Sequence, residues 1–175
     1  MKRTEKDLQT SNDIDYELRQ GDFQWVPLVE TSGGRSYAKW YARLLTTLSL
    51  TLEDQEIVYA QTDYRPGEDN VRFLVVSNQS VIIVDASGIE GGQSTTTTRV
   101  IGRRALESFT VSGSMPVDQE GSAAYGWPGQ VEITATYAGV DAPLFFTATG
   151  YARGDSNTRG TILALLSELQ SDLNR

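Results

Sequence analysis

The spacing of hydrophobic residues changes twice along the chain, and each change predicts a different kind of element. After Ser36, apolar residues recur every three to four positions, as on one face of an amphipathic helix; they are Tyr37, Trp40, Tyr41, Leu44, Leu45 and Leu48. From residue 56 the period is two, which predicts strands. We predict seven of them, at 56–64, 71–77, 80–86, 95–101, 106–112, 130–138 and 143–149. A leucine-rich stripe then predicts a last helix over about 157–173.

The predicted strands differ in how much of their surface is apolar. Strands 71–77 and 80–86 are apolar on both faces, which predicts central or doubly covered positions. Strand 95–101 is β-branched but polar, as edge strands often are, and an open edge recruits other strands. On the last helix we expect Glu168 and Asp172 to face water.

Length and composition indicate a single domain. The chain has 175 residues, and no stretch is rich enough in Pro, Gly or Ser to separate two domains. Residues 1–21 are polar and are predicted to form an N-terminal arm that frays or holds a marginal helix. Residues 22–175 are predicted to form one domain with an N-terminal helical extension.

Two segments resemble the bacterial pleckstrin-homology-like (PH-like) domains. Residues 70–85, NVRFLVVSNQSVIIVD, are similar to a strand–turn–strand of that family, and residues 99–101 with 106–111 are similar to its next strand pair. The resemblance covers about residues 50–173. It implies an α+β fold in which a seven-stranded antiparallel PH-like barrel or sandwich is capped by a C-terminal helix. The helix predicted after Ser36 lies outside the resemblance and is an extra N-terminal helix. The resemblance also implies an oligomer.

The amino-acid composition excludes several common classes of catalytic site. The chain has no cysteine and no histidine, which excludes thiol nucleophiles, Ser/His/Asp triads and zinc sites built on those ligands. The acidic residues Glu53, Asp54 and Glu56 are interpreted as a solvated turn. The glycine-rich loops lack the ending of a phosphate-binding loop. We therefore predict no enzyme, no catalytic residue, no metal and no cofactor.

Two sets of residues are candidates for binding. Arg65 and Arg72 lie at the turn of the first strand pair, where PH-like domains hold phosphates, and Glu68 and Asp69 oppose them. The basic residue that the family usually has in the next turn is replaced by Gln79 or Ser80. Four aromatic residues are predicted to bind protein: Tyr125 and Trp127 in the long loop 113–129, and Tyr37 and Trp40 on the first helix. In the alternative interpretation, Trp127 folds back onto its own domain and the helix stripe packs in the core.

The sequence as a whole favours a non-catalytic interaction or scaffold domain that binds a protein partner, a second copy of itself, or both. A module that binds anionic lipid or a small ligand is the first alternative, and a metal-dependent enzyme built on carboxylates is the second. The net charge of −8 argues against binding to nucleic acid or to a membrane. A polar start and short apolar runs predict a cytoplasmic protein without a secretory signal.

Overall fold

The structure, a computed structural model, describes residues 5–21, 25–30, 37–65, 67–89, 93–113, 131–148 and 156–174. The chain divides into two compact units, residues 1–100 and 101–175. The helices of the described residues are α1 (Glu5–Gly21), α2 (Val26–Val29), α3 (Lys39–Leu52) and α4 (Ser156–Leu173), with a short 3-10 helix at Arg103–Ala105.

All seven predicted strands are present, with ends within one residue of the prediction. They are β1 (Ile57–Tyr64), β2 (Asn70–Ser77), β3 (Ser80–Ser87), β4 (Thr95–Gly102), β5 (Leu106–Gly113), β6 (Val131–Tyr137) and β7 (Leu144–Ala148). Hydrogen bonds join them into a four-stranded sheet in the order β1-β2-β3-β4 and a three-stranded sheet in the order β5-β6-β7. The α+β class is confirmed, and the described strands form two sheets rather than one closed barrel.

In the first unit, β2 and β3 are buried on both faces, as their apolar sequences predict. One face carries Phe73 and Ile82, which belong to a core shared with α3, and the other carries Leu74 and Ile83, also buried. The β2–β3 pairing is antiparallel, and Phe73 lies opposite Val84. These two strands are therefore the fixed centre of the four-stranded sheet.

Helix α1 lies within the polar segment 1–21, for which the sequence predicts fraying or a marginal helix, and it packs on α3 and β1. Its fully buried residues Ile14 and Leu18 belong to the core of the first unit. They lie four positions apart, so they occupy the same face of the helix. Two buried apolar residues are enough to dock this polar helix, because α3 and β1 provide an apolar surface against which they pack.

In the second unit, β6 alternates as predicted between buried residues and residues that are exposed or partly buried, and α4 packs against β5 and β7. The expectation that Asp172 faces water is wrong, because its side chain is 1 % exposed and pairs with Arg103 at 2.7 Å. Arg103 also bonds Glu168. Burial by itself would lower the pKa of Arg103, but these hydrogen bonds raise it, so the guanidinium stays charged. Arg103 thereby ties the short 3-10 helix to α4.

Candidate interaction site

Strand β4 is an edge of the four-stranded sheet, and it is the most exposed strand of the first unit. Within residues 95–100 only Thr98 is partly buried, and the rest are exposed. Val100 is 52 % exposed. A strand that pairs on one side only presents a row of backbone N–H and C=O groups on the other. No described strand pairs with that second side of β4.

The sequence of β4 gives this edge little protection against pairing. In natural proteins, lysine, proline, inward-pointing charges or a covering helix commonly protect an edge strand from pairing with another chain. Residues 95–100, TTTTRV, contain no proline and a single charge, Arg99. Threonine and valine favour the extended backbone of a strand. The edge is therefore suited to accept another strand.

A concave pocket of about 350 Å³ lies at the end of β1, β2 and β3, and it contains both predicted ligand-binding residues. Its lining residues are Asp63, Arg65, Glu68, Asn70, Val71, Arg72, Asp85, Ala86 and Ser87. A pocket of this volume falls at the small end of the range for small-molecule sites. The structure thus brings Arg65 and Arg72 together around one cavity.

Carboxylates accompany both arginines of this charged pocket. Arg72 lies in register between Asp63 on β1 and Asp85 on β3. Its Nε donates to Asp85 Oδ1 at 2.6 Å, and this hydrogen bond raises the pKa of Arg72. Arg65, 77 % exposed, lies 3.8 Å from a carboxylate oxygen of Glu68. Three carboxylates thus face two guanidinium groups, so a phosphate ligand would meet a site without excess positive charge.

Tyr37 and Trp40, the two aromatic residues of the first helix that were predicted to bind protein, differ in exposure. Trp40 is 6 % exposed, and its ring packs 5.6 Å from Tyr41 and 6.3 Å from Phe73 between centroids. It is therefore a core residue, as the core-packing alternative expects. Tyr37 is 37 % exposed, and its hydroxyl donates to Asp15 Oδ2 at 2.8 Å. Only Tyr37 of this pair is accessible to a partner.

Asp15 on α1 is the centre of a cluster that sequence analysis did not single out. It accepts hydrogen bonds from Arg19 Nε at 2.8 Å, Tyr37 at 2.8 Å and Tyr41 at 2.7 Å. Burial raises the pKa of the Tyr41 hydroxyl, and the bond to Asp15 raises it further. The four-residue spacing of Asp15 and Arg19 is the one signal in the sequence for part of this cluster. The cluster fastens α1 to α3.

Tyr125 and Trp127, the other predicted protein-binding residues, lie outside the described residues. Among the described residues, no group of three or more Asp, Glu, His or Cys side chains could hold a metal ion. No helix in the described part of the chain has the length and apolarity needed to cross a bilayer.

No protein-family model matches the chain, and no curated protein matches it. Solved structures that are similar to the chain include two from Shewanella species. One is a DUF1696 family protein with a pleckstrin-homology domain from Shewanella loihica PV-4, 15 % identical, with a TM-score of 0.41; the match covers 71 % of this chain and 89 % of that one. The other is a pleckstrin homology domain from Shewanella amazonensis SB2B, 16 % identical, with a TM-score of 0.35, covering 70 % and 82 %. This similarity agrees with the resemblance found in the sequence.

Proposed function

We propose that the chain is a non-catalytic protein-interaction domain that binds an extended segment along the open edge of β4. The observation that carries the proposal is the exposure of residues 95–100 on a strand that ends its sheet. In strand addition, backbone hydrogen bonds provide affinity and alternate side chains provide specificity. No described strand pairs with that side of β4.

The expected binding is weak and transient. Antiparallel pairing alternates along a strand, so about half of the residues of β4 direct their backbone groups to the open edge. Each backbone hydrogen bond contributes a net 0.5–1.5 kcal/mol, roughly, after exchange with water. A single short strand also buries less than the roughly 1,200 Å² of a stable interface. A domain of this kind suits reversible assembly.

The test begins by selecting short peptides that bind the native chain from a random display library. The affinity of these peptides for the native chain is then compared with their affinity for Thr97→Pro and Thr98→Pro. One of these prolines removes an N–H that faces the open edge, and the other removes an N–H bonded to β3. We expect the variant that keeps the parent melting temperature to lose peptide binding. Thr97→Val and Thr98→Val retain the backbone N–H and are the matched controls, expected to bind. A stable proline variant that binds as the parent does contradicts the proposal.

A small-ligand site is the second candidate, because the charged pocket holds Arg65 and Arg72 at one cavity. The carboxylates beside both arginines argue against an anionic lipid in that position. Vesicles of phosphatidylcholine with and without phosphatidylserine provide the test, with Arg65→Ala as the variant and Arg104→Ala, exposed in the second unit, as the control. We expect no sedimentation with either vesicle. Salt-sensitive binding that only Arg65→Ala removes would favour this second candidate.

We also propose the finer fold assignment, a PH-like barrel or sandwich closed by α4. The order of seven antiparallel strands followed by one helix supports it. A crystal structure of the whole chain tests it directly. The non-catalytic assignment rests on the residue types available, since the chain lacks histidine, the most frequent general acid or base, and cysteine, an intrinsically strong nucleophile.

A further inference from the structure

We infer that the charged pocket binds a small zwitterion, a molecule such as a free amino acid that carries an ammonium group and a carboxylate close together. The inference rests on the second candidate of the proposed function, the small-ligand site, and names its ligand. Strand binding at β4 does not depend on it. The pocket has the volume of a small-molecule site, about 350 Å³, and charges of both signs line it.

The register of the strands builds the floor of the charged pocket. Arg72 on β2 lies directly between Asp63 on β1 and Asp85 on β3. Directly opposed residues of neighbouring strands share a face of the sheet, so these three residues form one charged row. Asn70 and Ser87, each two positions further along, lie opposite each other and form a neutral polar row on the same face. The floor therefore presents both charged and hydrogen-bonding groups to a ligand.

The charges of the pocket divide into a satisfied pair and groups that a ligand can use. Arg72 and Asp85 share a hydrogen bond of 2.6 Å, so together they contribute little net charge. Among the described residues, no ion pair involves Asp63, which is exposed. Arg65 is also exposed, and its ion pair with Glu68 is long, at 3.8 Å. One carboxylate and one guanidinium group are thus accessible to a ligand.

Asp63 and Arg65 are spaced for a single small ligand. They lie two positions apart at the end of β1, which separates their Cα atoms by roughly 6.5 Å in an extended chain. An α-amino acid carries its ammonium and carboxylate groups on the same carbon, so the ammonium group can bind Asp63 while the carboxylate binds Arg65. Arginine binds a carboxylate through two parallel hydrogen bonds, which also orients the ligand. Both charges of the ligand are then paired.

The charge of the whole chain also favours a ligand without net charge. With a net charge of −8 the chain repels anions, and the two arginines of the pocket do not offset its three carboxylates. A zwitterion has no net charge and is not repelled. A simple cation would pair with Asp63 alone and a simple anion with Arg65 alone, so each would gain only one of the two contacts.

Glu68 allows a test by gain of affinity. Its carboxylate is the partner that a ligand carboxylate would replace at Arg65. The Glu68→Gln variant removes this competing charge, so it should bind the zwitterion about two- to fivefold more tightly, the effect of an exposed ion pair. A purely structural role for Glu68 would not increase affinity.

The first experiment adds the protein amino acids, one at a time, to the native chain and follows each by NMR saturation transfer, which detects weak binding. We expect at least one amino acid to bind. Its decarboxylated amine and its deaminated acid keep the side chain and lose one charged group, so each should bind about fivefold more weakly. An amine or an acid that binds as tightly as the amino acid would overturn the inference, because one charge would then be enough.

The second experiment compares variants that differ from the native chain by one charge. Asp63→Asn and Arg65→Gln should weaken binding about fivefold, and Glu68→Gln should strengthen it. Glu56→Gln is the matched control, because Glu56 is an exposed carboxylate beside the opposite end of β1. It changes the net charge as Asp63→Asn does, and it should bind like the parent. All four positions are exposed, so melting temperatures near the parent's are expected and confirm that the variants fold.

The outcomes separate this inference from the functions proposed above. If no amino acid binds, or if Asp63→Asn and Glu56→Gln have the same affinity, the zwitterion is not the ligand. Salt-sensitive binding of anionic vesicles that Arg65→Ala removes would also overturn the inference, while the second candidate would stand with an anionic ligand. Peptide binding at β4 is measured separately with the proline variants, and it stands or fails on that measurement alone.

Discussion

The two edge strands of the four-stranded sheet, β1 and β4, are in opposite situations. β1 is half-buried or buried along most of its length, and Asp63 is its one exposed residue. Helix α1 packs against it, and the Thr62 hydroxyl donates to the Leu18 carbonyl at 3.4 Å. β4 has exposed residues on both of its faces over residues 95–100.

This difference shows how one sheet can combine a protected edge with an open one. Covering an edge with a helix is a common defence against unwanted pairing, and α1 provides such cover near β1. Burial at β1 contributes to stability, whereas β4 contributes little beyond its bonds to β3. Substitutions near β1 should therefore change stability, and substitutions on β4 should change association. The predictions below test this division from the largest effect to the smallest.

The largest effect is expected from removing the apolar contact of α1. Leu18 is fully buried in the core of the first unit, so Leu18→Ala should lower the free energy of unfolding by about 2–5 kcal/mol. Thr96→Ala on β4 is exposed and should change it by no more than about 0.5 kcal/mol. Urea unfolding followed by circular dichroism measures both. If both variants lost the same free energy of unfolding, the two edges would contribute equally to stability, which contradicts this division.

An intermediate effect is expected at the hydrogen-bonded carboxylate of α1. Asp15→Ala leaves Arg19, Tyr37 and Tyr41 without their shared acceptor, and a hydrogen bond to a charged group contributes about 1.5–3 kcal/mol. We expect a loss of that size. Arg99→Ala, the charge deletion on β4, should lie within about 0.5 kcal/mol of the parent. If Asp15→Ala unfolds at the parent's urea midpoint, α1 is not fastened by this cluster.

The smallest effect concerns the pH dependence of α1. Burial raises the pKa of Glu17 above its ordinary value of 4.5, and nearby Asp13 raises it further. The folded chain therefore holds this proton more tightly than the unfolded chain, and stability falls as pH rises from 4.5 through the folded-state pKa. Glu17→Gln should raise the melting temperature at about pH 7 and leave it unchanged at about pH 3.5. A gain that is equal at both pH values would contradict this cause.

The sequence predicts the strands well because their information is local. The two-residue period and the turn residues define all seven strands, and the two-sided apolar pattern of β2 and β3 matches their burial. The polar threonine run identifies β4 as an edge before any coordinates are known. For the same reason, the open edge could be predicted from the residues alone.

The features that the sequence analysis did not predict involve contacts between distant segments. Asp172 has the pattern of a solvated helix residue, and only its pairing with Arg103, distant in the chain, explains its burial. Helix α1 has too few apolar residues to predict docking, which depends on the surface that α3 and β1 offer. The charged pocket also depends on a contact between separate segments, because the register of β2 and β3 places Asp85 beside Arg72. Residue spacing does not carry this information.

Hydrogen exchange of the β4 amides tests the central claim most directly. In dilute protein, we predict that the amides of β2 and β3 exchange slowly and that alternate amides of residues 95–100 exchange quickly, because these face the open edge. Adding a selected peptide should protect those alternate amides. Uniformly slow exchange of residues 95–100 in the most dilute sample would contradict the claim, since the edge would already be paired within one chain.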